Sequence, residues 1–219
     1  KPDMVFTVKT QPLNGSLAGT PPDLTYQPKP DFFGEDFFTY TGSRDGEETA
    51  EAVVTINVAG VNDPPTIAPS ARLDGSGEDT DTVISHEGLL SASGAKDVEG
   101  LDITFRIEGV KVGELRTGDF EKVVEGQTVV RRGDKGLVWT PPEHLNGDVG
   151  AFTIRASDGE LFSPVSEVVL VVAPAPDAPV VANPLADVEV DKDSAPVVID
   201  LAPVFFDPDN DPVKYFVKE

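Results

Sequence analysis

The stretch Val54-Thr55-Ile56-Asn57-Val58 places apolar side chains on one face and polar side chains on the other. This period of two predicts a half-buried β-strand. The same alternation recurs at Ile103–Ile107 and Phe152–Ala156, and 20 glycines and 20 prolines supply turns between such stretches. Only Glu87–Ala95 shows a weak helical period, and it could equally be a strand with a loop. The chain is therefore predicted to be all-β.

Sequence features around this strand recur later in the chain at a nearly constant distance. One set of matches lies 113 or 114 residues apart, and another lies 110 residues apart. Self-similarity at a fixed period indicates tandem structural repeats. The matches are Tyr26-Gln27-Pro28 with Trp139-Thr140-Pro141, Phe38-Thr39-Tyr40 with Phe152-Thr153-Ile154, Asp45-Gly46 with Asp158-Gly159, Asp63 with Asp177, and Asp97-Val98-Glu99 with Asp207-Pro208-Asp209.

The length of the repeat predicts the kind of module. A unit of roughly 105–115 residues has the size of a seven-stranded Greek-key sandwich. We expect tandem Greek-key β-sandwich modules in an elongated array, with incomplete terminal modules. Residues 1–63 would be the C-terminal part of one module, 64–177 a complete module, and 178–219 the N-terminal part of another.

The two partial modules are expected to begin and end at equivalent strands, Met4–Val8 and Val213–Val217. Joined together, they would supply one whole module. Short proline-containing linkers argue against joining within one molecule, because eight residues reach about 29 Å at most and a sandwich is about 40 Å long. We therefore expect each half to be completed by a neighbouring molecule, or the chain to be an excerpt from a longer array.

Composition excludes several function classes. The 219 residues carry 39 acidic and 17 basic side chains, a formal net charge of −22, which opposes binding to nucleic acid or to an anionic membrane. The chain has no cysteine, so disulfides and thiolate metal sites are excluded. No apolar run approaches the ~20 residues that span a bilayer.

Clusters of acidic residues are the candidate functional groups. In a Greek-key array the bottom loops of one module meet the top loops of the next at the linker. Carboxylates about 4 Å apart repel by about 4 kcal/mol at a protein surface, and Ca²⁺ accepts about 6–8 oxygens in loose geometry, whereas Mg²⁺ demands stricter geometry. The predicted calcium ligands are Glu35, Asp36, Asn62, Asp63, Asp97, Glu99 and Asp158 at the first junction, and Glu78, Asp79, Asp148, Asp177, Asp207, Asp209 and Asp211 at the second.

Several of these motifs resemble the cadherin family, and the resemblance covers nearly the whole chain. It is strongest with the tandem cadherin-like repeats of large bacterial surface proteins. It implies an array of β-sandwiches, rigidified by calcium, in an exported adhesin or matrix-type protein. Asn62-Asp63 is similar to the cadherin linker motif, Asp97-x-Glu99 and Asp207-x-Asp209 to its Asp-x-Asp loop, and Ala156-x-Asp158 to its Ala-x-Asp turn.

Three positions depart from the pattern. Pro176 stands where the first linker has Asn62, Leu101 stands where Asp211 would align, and Lys192 stands where Glu78 would align. The first junction loses a carboxylate and the second linker loses an amide. We expect the second junction to hold its ion more tightly.

The sequence therefore predicts a calcium-binding structural or adhesive repeat segment of a bacterial cell-surface or secreted protein, and not an enzyme. Its partners would be neighbouring modules of the same or an adjacent chain, and possibly a surface polysaccharide or protein. The alternative is a polysaccharide-binding β-sandwich module of a secreted carbohydrate-active protein. The two histidines, His86 and His144, are expected to be exposed loop residues.

Overall fold

The computed structural model describes residues 4–209 and 212–216. These residues divide into two compact units, Lys1–Asp63 and Pro64–Glu219. The division after Asp63 coincides with a predicted module boundary. Residues 178–219 belong to the same unit as the central sandwich, and their separation as a third module stays a prediction.

The first unit consists of strands joined by short turns. Strand β4 lies between β1 and β6 and also pairs with β5, while β2 and β3 form a separate hairpin. Of the large apolar side chains described in this unit, Phe38 alone is buried. The strands are β1 (Val5–Thr10), β2 (Gly15–Thr20), β3 (Asp23–Pro28), β4 (Gly34–Arg44), β5 (Glu47–Glu48) and β6 (Ala52–Val58).

The second unit contains a β-sandwich and a C-terminal segment. Its elements are β7 (Ser70–Gly77), β8 (Thr82–Ile84), α1 (His86–Ser93), β9 (Thr104–Val110), β10 (Glu114–Thr117), β11 (Val129–Val130), β12 (Leu137–Thr140), β13 (Gly147–Ser157), β14 (Ser166–Ala173), β15 (Val180–Val181) and β16 (Phe205–Phe206). Five strands form one sheet in the order β11-β9-β13-β14-β7, and three form another in the order β10-β12-β8. Strand β7 runs parallel to β14, and the other pairs are antiparallel.

The core of this unit draws on both sheets. Phe105 and Phe152 from the five-stranded sheet and Leu137 and Trp139 from the three-stranded sheet are fully buried. The indole Nε1–H of Trp139 donates to the carbonyl of Val112 over 2.8 Å, so the one polar atom of this buried ring is satisfied. The predicted all-β sandwich is confirmed.

Helix α1 resolves the ambiguity at residues 87–95 in favour of a helix. The hydroxyl of Ser85 caps its N-terminus by accepting from the backbone N–H of Gly88 over 3.0 Å. Gly94 ends it in the left-handed region at φ 58°, where a glycine avoids the Cβ penalty.

Two sequence expectations are corrected. His86 is not an exposed loop residue, because it lies in α1 with 2% of its surface exposed and Nε2 bonded to the carbonyl of Ile103 over 2.7 Å. A strand was predicted at 213–217. Residues 213–216 do not form a strand, and Val217 lies outside the described residues. Apolar alternation needs a neighbouring strand to become a ladder, and no described strand pairs with this stretch.

Candidate metal centre

Three carboxylates converge at one edge of the second unit. Glu78, Asp177 and Asp209 each offer a ligand oxygen, and these oxygens lie within 4.8 Å of one another. They come from three separate segments of the chain. Carboxylates this close repel one another when all are ionised, and a bound cation would offset that repulsion.

The strand pairing explains why these residues meet. Because β7 and β14 run parallel, both strands end at the same edge, and the N–H of Glu78 donates to the carbonyl of Ala173 over 2.9 Å. Strand β15 pairs with β16 so that Val180 lies opposite Phe206. The residues before β15 therefore lie beside those after β16, and the N–H of Asp177 donates to the Asp209 carboxylate over 2.7 Å.

Glu78 is the most buried member of this group, with 3% of its surface exposed. One carboxylate oxygen accepts from the side-chain amide of Asn146 over 3.0 Å. The other accepts from the backbone N–H of Ala175, the second residue after β14. These bonds fix the carboxylate where the linker leaves the sandwich.

A second group shares Asp177 with the first. His144 Nδ1 lies 2.6 Å from an Asp177 oxygen and 3.8 Å from an Asp79 oxygen, and the His144 N–H donates to Asp79 over 2.9 Å. The hydrogen bond to Asp177 raises the pKa of His144 above its ordinary value, although burial opposes the shift. Sequence reasoning missed His144 because a single histidine without a partner in sequence gives no signal. His144 and Asn146 lie in the same loop, and only the folded chain places this loop beside Glu78, Asp79 and Asp177.

Asp207 lies next to this site. It is 8% exposed, and its carboxylate accepts from the N–H of Asp209 over 3.1 Å, which closes a tight turn. Asp211, the remaining predicted ligand of this loop, lies outside the described residues. The structure thus brings together Glu78, Asp79, Asp177 and Asp209, with Asp207 adjoining them.

Asp148 is not part of this group. Both of its carboxylate oxygens accept from the guanidinium of Arg72, in a two-pronged ion pair on the sandwich surface. This pair holds the pKa of Asp148 below its ordinary value. Asp148 lies on β13, which is next to β14, and Arg72 lies on β7 on the other side of β14. Its carboxylate therefore meets Arg72 and not a shared cation.

Asp36 is a structural residue of the first unit and not an exposed ligand. It is 2% exposed, and its two oxygens accept from Leu13 N (3.0 Å), Phe37 N (2.9 Å), Asn14 N (2.8 Å) and the Tyr26 hydroxyl (2.9 Å). Burial alone would raise the pKa of Asp36, but these four hydrogen bonds outweigh it and lower the pKa. No lone pair remains for a metal.

The other predicted ligands divide between the units. Glu35, Asn62 and Asp63 belong to the first unit, where Glu35 and Asp63 are exposed. In the second unit, the carboxylate of Asp158 accepts from Glu160 N and Leu161 N, both over 2.7 Å, and closes the turn after β13.

Asp97 and Glu99, the remaining predicted ligands, each have one carboxylate oxygen that is buried. One oxygen of each, Asp97 Oδ2 and Glu99 Oε2, is buried without a hydrogen-bond partner. The other Asp97 oxygen accepts from Leu101 N over 2.9 Å. Buried carboxylate oxygens are costly unless a donor or cation meets them.

Residues 1–57 match the family model of the bacterial Ig domain. This match spans 57 of the 219 residues, and it agrees with the predicted resemblance to β-sandwich repeats of bacterial surface proteins. No curated protein matches the chain. None of the described helices is long and apolar enough to cross a membrane.

The comparison with solved structures matches domains EC1-2 of a human mucin-like protocadherin. The identity is 17% and the TM-score is 0.45, and the match covers 78% of this chain and 85% of that one. The adhesin InvE of Yersinia pseudotuberculosis gives 13% identity and a TM-score of 0.26, covering 78% of this chain and 49% of that one. An endo-fucoidan hydrolase of glycoside hydrolase family 107 gives 18% and 0.30, covering 78% and 24%. The chain thus spans about a quarter of the hydrolase and half of InvE.

Proposed function

We propose that this chain is a calcium-binding structural segment of a bacterial cell-surface or secreted adhesin. The observation that carries the proposal is the convergence of Glu78, Asp177 and Asp209 from the end of β7, the linker and the loop after β16. An ion bound there would tie the linker and the C-terminal segment to the sandwich. Its role would be mechanical, because it would restrict bending at this joint.

The ligand chemistry favours Ca²⁺ over other ions. Glu78, Asp177 and Asp209 offer only hard oxygen atoms, and carboxylates binding through one or two oxygens suit the flexible coordination of Ca²⁺. The overlapping group of Asp79, His144 and Asp177 includes an imidazole nitrogen, which suits Zn²⁺. Calcium binding would withdraw Asp177 from its bond to His144.

The test compares thermal unfolding in chelator and in millimolar Ca²⁺, using fluorescence of the sole tryptophan, Trp139, to report the second unit. Ca²⁺ at about 100 times its Kd should stabilise this unit by about 2.7 kcal/mol, a rise in Tm of roughly 5–10 °C. Glu78→Gln and Asp177→Asn should abolish the rise.

Asp148→Asn is the matched control, because it also removes a carboxylate but one that belongs to the Arg72 pair. It should leave the calcium response intact. The proposal fails if Ca²⁺ does not change Tm, or if all three variants respond alike. Small-angle scattering with and without Ca²⁺ tests the mechanical role, which requires a narrower distribution of conformations with the ion.

Asp97 and Glu99 support a second, weaker ion within the same proposal. Each keeps a buried oxygen without a hydrogen bond, which a cation would satisfy. Glu99→Gln should then reduce the number of ions bound in calorimetric titration by one. Tight binding should remain, because it belongs to the group containing Glu78.

Polysaccharide binding is the alternative function. The aromatic residues at equivalent strand positions do not favour it, since Trp139 is fully buried and Tyr26 is half-buried with its hydroxyl bonded to Asp36. Glycan-array binding that persists in chelator would support the alternative. The same glycan array would also test whether the target of the proposed adhesin is a polysaccharide.

A further inference from the structure

The two histidines of the chain differ in what they contact. His144 Nδ1 lies 2.6 Å from an oxygen of Asp177 and 3.8 Å from an oxygen of Asp79, and the three ligand atoms lie within 4.8 Å of one another. The side chain of His144 is 41% exposed, so a dissolved ion can reach it. His86 is buried and bonded to the carbonyl of Ile103. His144 is therefore the histidine that is accessible to a metal ion.

Asp79 is held in position beside the imidazole by the backbone. The N–H of His144 donates to Asp79 Oδ1 over 2.9 Å, and the other oxygen of that carboxylate faces the imidazole. A hydrogen bond of this kind orients a ligating group before an ion arrives. Asp177 comes from the linker after β14, so three separate segments of the chain supply the three groups.

The spacing of the three atoms fits a small ion. In a tetrahedral zinc site each nitrogen or oxygen lies about 2.0–2.2 Å from the metal, which places neighbouring ligand atoms about 3.3–3.6 Å apart. The distance from His144 Nδ1 to Asp79 is slightly longer than this, and the distance to Asp177 is shorter because a hydrogen bond joins the two. An outward movement of the Asp177 oxygen by less than about 1 Å would admit the ion.

The sequence repeat places a different type of ligand at this position of the first unit. Asp31 lies three residues before Gly34, as His144 lies three residues before Gly147. Both Asp31 and His144 have a left-handed backbone, at φ 60° and φ 56°. The same loop conformation therefore carries a carboxylate in one unit and an imidazole in the other. An imidazole ligand shifts ion preference from Ca²⁺ towards Zn²⁺.

We propose that Asp79, His144 and Asp177 form a Zn²⁺ site, and that Zn²⁺ opposes the binding of Ca²⁺ at this joint. The zinc site differs from the group of Glu78, Asp177 and Asp209 but shares Asp177 with it. Two doubly charged ions would compete for one carboxylate and repel each other, so the binding of one weakens the binding of the other. The zinc site stands on its own ligands, whereas the opposition to Ca²⁺ rests on the proposed function.

The first experiment titrates the full chain with Zn²⁺ in a calorimeter. It is performed without Ca²⁺ and at about pH 7.5, because protons compete with metals for imidazole. We expect one tightly bound Zn²⁺ per chain. His144→Asn removes the nitrogen ligand and should weaken binding at least about tenfold. Asparagine tolerates the left-handed backbone at this position, and thermal unfolding reported by Trp139 in chelator shows whether the variant is folded.

Glu143→Gln is the matched control. It removes a negative charge beside His144 but no ligand atom of the group. It should change the zinc affinity by less than about fivefold, as expected for an exposed charge. Co²⁺ provides a second readout, because its visible absorption depends on its ligands. The parent and Glu143→Gln should give the same Co²⁺ spectrum, and His144→Asn should give a different one.

Single variants separate the two ions. Asp209→Asn should weaken the binding of Ca²⁺ and leave that of Zn²⁺ unchanged, because Asp209 belongs only to the calcium group. His144→Asn should do the reverse, and Asp177→Asn should weaken both. His144→Asp introduces the residue type found at position 31 of the first unit. It should weaken the binding of Zn²⁺ and tighten that of Ca²⁺, because a hard oxygen replaces the nitrogen.

Calcium titrations without Zn²⁺ and with saturating Zn²⁺ measure the opposition between the ions. Zn²⁺ should raise the apparent Kd for Ca²⁺ at least about tenfold, and by linkage Ca²⁺ should raise the Kd for Zn²⁺ by the same factor. His144→Asn should remove this effect.

Two results would overturn the zinc site. One is equal zinc affinity in the parent and His144→Asn, because surface carboxylates alone would then hold the ion, and the other is an equal loss of affinity in Glu143→Gln and His144→Asn. A calcium affinity that Zn²⁺ does not change would overturn the opposition. If Ca²⁺ does not bind at all, the proposed function and the opposition both fail, and the zinc titration still decides the zinc site.

Discussion

The strands β6 and β14 occupy equivalent positions in the sequence repeat but differ in how deeply their side chains are buried. The inward residues of β6 are half-buried, whereas their counterparts on β14 have at most 2% of their surface exposed. The compared pairs are Ala52 with Ser166, Val54 with Val168, Ile56 with Leu170 and Val58 with Val172. Apolar alternation therefore selects the strand, but burial depends on what packs over it.

Polar groups compensate for part of this difference. Asp36 on β4 is buried and accepts three hydrogen bonds from the hairpin side of the first unit and a fourth from the N–H of Phe37 on its own strand. The corresponding residue of β13 is Val149, which is 6% exposed in an apolar core. The first unit thus joins its layers partly through a satisfied carboxylate, and the second through hydrophobic contact.

The largest expected effect separates the two strands directly. Leu170→Ala should destabilise the second unit by about 2–5 kcal/mol, because it leaves a cavity in a closed core. Ile56→Ala in the first unit should cost less, about 1 kcal/mol, because the side chain is already partly solvated. Trp139 fluorescence in denaturant follows the second unit, and calorimetry follows both. Equal losses would contradict the difference in burial.

A smaller effect is expected from the buried carboxylate. Asp36→Asn places amide protons against backbone donors, so Tm of the first unit should fall by roughly 5–10 °C. The folded pKa of Asp36 lies below the ordinary value of 3.8, so its contribution is present above that value and is lost as pH falls through the folded pKa.

Acid titration between about pH 4 and pH 2 checks whether the stability of the first unit falls as predicted. The first unit of the unsubstituted chain should lose more stability over this range than the Asn variant does. Asp148→Asn serves as the control, since it removes an exposed ion pair from the second unit and should leave the first unit's acid response unchanged. An Asn variant with the same acid response as the parent would show that Asp36 is not responsible.

The smallest effect is expected from helix α1, which has no counterpart in the described part of the first unit. Gly94→Ala forces an alanine into the left-handed C-cap of α1 and should cost about 1 kcal/mol. Only the transition reported by Trp139 should shift. A change in the first unit's transition would show that the two units do not unfold independently.

Sequence reasoning identified the all-β class, the repeat and several members of the acidic group. It assigned Asp36 to a metal site because it counted acids in loops, although Asp36 shares its parity along β4 with Phe38 and Tyr40 and therefore faces inward. That signal was available in the sequence. The pairing of Arg72 with Asp148 was not, because 76 residues separate them and only the placement of β7, β13 and β14 in one sheet brings them together.

The sequence by itself determined the strands, through alternation, and the repeat, through its fixed spacing. It also determined that hard oxygen ligands are abundant. Tertiary structure decided which of these carboxylates meet, because convergence depends on β7 running parallel to β14 and on β15 pairing with β16. It also decided which strands are buried. Local pattern sets the conformation of a segment, whereas burial and charge proximity are properties of segments that are distant in sequence.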